Sequence, residues 1–221
     1  MATAVSSRFA TANEWHEKAR PIVSAVFADR GFTVFDHGAE FAPGLSEEVR
    51  KQDDRCSLML RFRPDMVTIR PYYRSLLCEI KSEPEGRDWQ AYREALMEAR
   101  SWKSLCEWNA GESNVAMLAY HSFNIGQSFG MWLSDLPKPQ MVMVYRHGPE
   151  CRRNVRCRKP EEDFAEQLEA MGKLLPGIER RVFDHKWGSG TPSIKVPKQY
   201  MVPLGEFIDC DVLGLCPRPT P

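Results

Sequence analysis

Apolar residues recur at helical spacing near the start of the chain. Trp15, Ala19, Ile22, Val23, Val26 and Phe27 form one stripe, which predicts an amphipathic helix. Thr11 and Glu14 have the arrangement of a capping box, so the helix is expected to begin at Thr11. Pro21 lies inside it and is expected to kink it. Gly31 stops it, and residues 32–35 then read as a short strand. Residues 38–56 are polar, with Gly, Pro and many charges, and read as a loop. Residues 66–69 and 76–80 are β-prone, with a turn over 70–75 between them. Residues 89–106 are rich in Ala, Leu, Met, Glu and Arg and read as a helix. Residues 115–120 and 140–145 read as buried strands. The stretch 124–130 has two glycines but no P-loop lysine, and reads as a turn or loop.

Beyond residue 145 the composition shifts. Residues 146–159 are strongly basic, and residues 161–175 read as a helix closed by Pro176 and Gly177. Residues 184–193 read as loop, and residues 195–208 as one or two short strands. A Pro-rich tail follows at 216–221. The order helix, strand, strand, strand, helix, strand, strand predicts an α/β fold, with a central mixed β-sheet flanked by helices and a C-terminal extension. Residues 1–145 are the expected core. Residues 146–221 complete or decorate the same domain.

Charge narrows the partners. The 30 Lys and Arg balance the 30 Asp and Glu, so any contact with a polyanion must come from a local patch. Arg152, Arg153 and Arg156 in the basic stretch are the candidates, with a solvated loop as the plainer alternative. No apolar run is long enough to span a bilayer, and residues 1–10 lack the hydrophobic core of a signal peptide. A cytoplasmic location without a membrane partner is expected. The seven Cys are an odd number, as free thiols in a reducing compartment allow. Cys151, Cys157, Cys210 and Cys216 could offer four thiolates to zinc, but their spacing is longer than usual, and ordinary reduced cysteines are expected. The histidines make no metal-ligand spacing.

The chemistry concentrates in residues 64–82. Side chains alternate faces along a strand, so Glu79 and Lys81 share a face while Cys78 and Ile80 point into the other layer. A charged pair on a buried strand is costly unless something compensates it. If the strand starting near Asp65 runs antiparallel to residues 76–81, Asp65 and Glu79 converge. Two carboxylates, with the backbone carbonyl of Ile80, are the hard oxygen ligands that Mg²⁺ prefers, with Mn²⁺ as a substitute. Lys81 would then stabilise negative charge that develops on a phosphate. A salt-bridge cluster is the plainer alternative.

Pro64 and Asp65 followed by Glu79, Ile80 and Lys81 resemble the motif of the PD-(D/E)XK nucleases, the restriction-endonuclease-like superfamily. The likeness covers roughly residues 11–145, including the helix before the motif and the one expected after it. It implies a restriction-endonuclease-like core and Mg²⁺-dependent hydrolysis of phosphodiester bonds in DNA. An exonuclease, a Holliday-junction-resolvase-like enzyme, and a non-cleaving DNA-binding or assembly protein are the alternatives on the same core. Many members place an acidic residue on the first helix at the metal, for which Glu17 is the candidate and Glu14 the second choice. Some relatives carry Gln and Tyr after the motif, as Gln90 and Tyr92 do here, and Gln90 is a candidate DNA contact. The resemblance leaves substrate shape open, and the choice between monomer and homodimer.

Overall fold

The computed structural model describes residues 7–36, 62–71, 75–83, 94–110, 114–136, 138–147, 161–185 and 190–212, together with Cys56 and Met59. Helix α1 (Ser7–Ala28) begins before the expected cap, so Thr11 is inside it. Nothing in residues 7–10 interrupts a helix: there is no Pro or Gly. It also runs through Pro21 without a break. The turn after it is built as the glycine predicts. Gly31 takes φ +76°, and the Phe32 N–H returns to the Phe27 carbonyl at 3.2 Å. The buried side of α1 carries Ala19, Arg20, Val23 and Phe27, whereas Ile22 of the expected stripe is exposed.

Strands β1 (Thr33–Asp36), β2 (Met66–Ile69) and β3 (Ser75–Glu83) follow as an antiparallel set. Strand β4 (Glu94–Glu98) then leaves this sheet, and helix α2 (Ala99–Asn109) brings the chain back to β5 (Asn114–Ser122), which pairs parallel to β3. A parallel neighbour needs such a crossover. Strand β6 (Gln127–Trp132) turns back against β5, and β10 (Val202–Pro203) pairs with β6. The result is a mixed six-stranded sheet in the order β1-β2-β3-β5-β6-β10.

A second sheet goes beyond what the sequence pattern predicts. It has four strands in the order β4-β9-β7-β8, with β7 (Met141–His147), β8 (Glu179–His185) and β9 (Pro192–Pro197). Helix α3 (Glu161–Leu174) joins β7 to β8, which pair parallel. Helix α4 (Leu204–Val212) closes the described chain.

Several expected elements are corrected. Residues 94–98, inside the expected 89–106 helix, are a strand. Ala95 and Met97 are buried while Glu94 and Leu96 are exposed, and pairing with β9 overrides the helix-forming composition. The 124–130 loop shrinks to a tight turn at Gly126, φ +64°, because Ser128, Phe129 and Gly130 are buried against β5. Residues 184–185 and 192–193 at the two ends of the expected loop are strand, and residues 204–208 are helix instead of strand.

Two cores result. Helices α1 and α4 cover one face of the large sheet, with Phe27, Leu76, Cys78, Ile80, Met117 and Phe207 between them. The small sheet and helices α2 and α3 lie over the other face, packed around Leu77, Leu118, Met131, Met97, Ile194 and Met171. Glu79, Lys81 and Glu83 alternate with Ile80 along β3, so they look toward this second core. No helix among the described residues is long and apolar enough to cross a membrane.

Candidate active site

The site is built where the β2–β3 pairing runs out. Met66 stands opposite Cys78, which puts Asp65 level with Glu79. Pro64 has no N–H and ends the ladder on this side. The Asp65 carboxylate takes over. Its Oδ2 accepts the backbone N–H of Ile80 at 2.6 Å. Two residues along β3, Lys81 Nζ donates to Glu79 Oε1 at 2.6 Å. Asp65, Glu79 and Lys81 are therefore drawn together by strand register and by period-two alternation.

The electrostatics of the three groups differ. Glu79 is 5% exposed. Burial pushes its carboxyl up to about 7, against the pull of Lys81 and with the help of the Asp65 charge. Burial also works on Asp65, but the His16 hydrogen bond, the charges of Lys81 and His16, and the Ile80 N–H outweigh it. The Asp65 carboxyl is held below its ordinary value. Burial disfavours the Lys81 cation, yet Glu79 and Asp65 overcome this and raise its pKa, with a further contribution from Glu98 at the β4–α2 junction. At neutral pH, Asp65 is ionised, Lys81 keeps its proton, and Glu79 is poised between its two forms.

Helix α1 adds two groups that the sequence pattern did not single out. His16 Nε2 lies 3.4 Å from Asp65 Oδ1, and Arg20 Nη2 lies 3.6 Å from the same oxygen. Glu17 does not join the carboxylates. It is 54% exposed at the side chain and pairs with Arg20 Nη1 at 3.3 Å, and Glu14 pairs with Lys18. The helix thus turns an imidazole and a guanidinium, not acidic side chains, toward Asp65. A clue was available: His16, Arg20, Val23 and Phe27 advance along one line of the helix, so two polar residues stand at core-facing positions.

Among the described residues, no three His, Cys, Asp or Glu side chains group as metal ligands. The donor chemistry still fits a hard divalent cation. Two carboxylates converge, and one of them is buried and destabilised in its charged form. Gln90, Tyr92, Arg152, Arg153, Arg156, Cys151, Cys157 and Cys216 lie outside the described residues, as does the side chain of Cys210. Cys56, Cys78 and Cys106 are free thiols.

A second polar cluster continues along the same face of β3. Glu83 accepts from Tyr120 Oη at 3.0 Å, Ser122 Oγ at 2.5 Å and Lys198 Nζ at 3.1 Å. Glu83 and Lys198 are both buried. The cluster ties β3 and β5 of the large sheet to the turn after β9 of the small one.

The chain matches no protein-family model and no curated protein. Among solved structures it is similar to Hjc, a Holliday junction resolvase from the archaeal hyperthermophile Archaeoglobus fulgidus. The identity is 11%, 86% of this chain and 98% of that one are covered, and the TM-score is 0.40.

Proposed function

We propose that the chain is a metal-dependent nuclease that hydrolyses phosphodiester bonds in DNA. The observation that carries this reading is the register of β2 on β3, which sets Asp65 beside Glu79 and Lys81. A purely structural ion pair would not require a second carboxylate level with Glu79, where like charges oppose each other.

Asp65, Glu79 and the Ile80 carbonyl would hold Mg²⁺, or Mn²⁺ in its place. The bound cation supplies charge neutralisation at phosphate oxygen and a more acidic water. Lys81 keeps its proton and offers a fixed positive charge to the anion that develops on phosphorus. Glu17 acts on the site through Arg20 and not by direct ligation. Arg152, Arg153, Arg156 and Gln90 would contact the DNA, the arginines chiefly through phosphates.

Supercoiled plasmid tests the reading. Conversion to nicked or linear forms should occur with Mg²⁺ or Mn²⁺ and stop in EDTA. Ca²⁺ should support binding with little turnover, because it coordinates loosely and activates water poorly. Cleavage that persists in excess EDTA, or a band shift without conversion in Mg²⁺ and Mn²⁺, contradicts it.

A further inference from the structure

Arg20 is placed at a cost that its partners on the surface do not explain. The residue is 9% exposed, and its Nε is buried without a hydrogen-bond partner. Its Nη1 lies 3.3 Å from Glu17 and 3.8 Å from Asp36, whose side chains are 54% and 63% exposed. Attraction to such solvated carboxylates is screened. The desolvated partner is Asp65, 16% exposed at the side chain, with Oδ1 3.6 Å from Arg20 Nη2. A buried guanidinium is retained where a buried carboxylate faces it.

We infer that Arg20 is a built-in countercharge for Asp65 that holds down the affinity of the site for its cation. The inference rests on the metal-site reading above and names the residue that tunes it. Without metal, the guanidinium faces the Asp65 carboxylate as its countercharge across 3.6 Å. A divalent cation that binds Asp65 meets a like charge a few ångströms away, and that repulsion opposes binding. Arginine is not deprotonated in proteins, so the opposition persists at every working pH. Asp36 and Glu17 share the guanidinium from the other side. These contacts link its Nη1 to α1 and β1.

The test is Mn²⁺ binding to the full chain without DNA, read from the free-Mn²⁺ signal in electron paramagnetic resonance. Arg20→Gln should bind Mn²⁺ about tenfold or more tightly than the wild type, because the repelling charge is gone. Arg20→Lys keeps the charge and should stay within about threefold of the wild type, although it loses the planar fork. Equal or weaker binding by folded Arg20→Gln overturns the countercharge while leaving the metal site standing. A wild type that binds no Mn²⁺ overturns the metal site and the countercharge together. Should Arg20→Gln fail to fold, the wild type gives the same answer by nuclear magnetic resonance. The Arg20 Nε–H signal, assigned by its loss in Arg20→Lys, should shift saturably as Mg²⁺ is added, and a signal that Mg²⁺ leaves in place sinks the idea.

Discussion

Asp65 Oδ2 accepts the Ile80 N–H at 2.6 Å, in the position where a further β2 residue would have continued the ladder. One carboxylate oxygen is thereby committed to the backbone of β3, and the other faces His16 and Arg20 of α1. Asp65 is both the end of a strand pair and the point where helix and sheet meet. Its geometry is set by secondary structure rather than by a flexible loop, which suits a group that has to be preorganised.

The pH dependence of stability should carry the signature of Glu79. Its carboxyl is raised from the ordinary 4.5 to about 7 in the folded protein. The folded state therefore holds a proton between these values that the unfolded state has released. By linkage, metal-free protein loses stability as pH rises from about 4.5 to 7, by at most about 3 kcal/mol. Asp65 shifts the other way, and its contribution is lost only in more acid solution, below the ordinary aspartate range. Thermal melting in EDTA across this window should show a decline that Glu79→Gln removes and that saturating Mg²⁺ flattens. A wild-type slope identical to that of Glu79→Gln contradicts the assignment.

The Glu83–Lys198 pair makes a separate prediction about the junction of the two sheets. Lys198→Met leaves Glu83 with only Tyr120 and Ser122 as the donors described for it. Breaking a buried pair on one side costs about 3–5 kcal/mol. The Glu83→Gln, Lys198→Met double variant should recover a good part of that loss, since no buried charge is stranded. Urea denaturation of the four proteins measures the coupling. Additive losses would show that the two residues act independently.

The basic stretch should matter for affinity and not for chemistry. Replacing Arg152, Arg153 and Arg156 with Ala should weaken DNA binding and flatten its dependence on salt. The slope of log K against log salt should become shallower by up to about 0.9 for each phosphate that is no longer neutralised. The rate at saturating DNA should stay within about threefold of the wild type. Unchanged affinity and slope would leave the stretch a solvated loop.

The part of the fold that holds the site was legible in local pattern. The β2–β3 hairpin was readable because Met66 to Ile69 and Leu76 to Ile80 are β-prone runs close in sequence. Period-two alternation then isolates Glu79 and Lys81 as the charged members of one strand. Strand β4 was hidden because Glu94, Ala95, Leu96, Met97 and Glu98 are helix formers. What makes them a strand is the distant partner β9, which no local window contains. Strand β8 was unread for the same reason: it is charged at Glu179, Arg180 and Arg181 and gains its place by pairing with β7. On α1, Glu17 looked like the functional residue from its chemistry, whereas His16 and Arg20 face Asp65 by geometry. Lys198 gave no sign of burial, because a lysine on a short turn reads as solvated.

The central claim is that Asp65, Glu79 and Lys81 form a catalytic site and not a structural ion cluster. Single-turnover cleavage of end-labelled DNA in saturating Mg²⁺, run beside thermal melting in EDTA, tests it on Asp65→Asn, Glu79→Gln and Lys81→Ala. Each substitution should lower the cleavage rate by about a hundredfold or more, the scale of losing one electrostatic stabiliser. Glu79→Gln should melt at or above the wild-type temperature near neutral pH, because the buried charge it removes is unfavourable there. A folded variant of any of the three that cleaves at the wild-type rate would contradict the account.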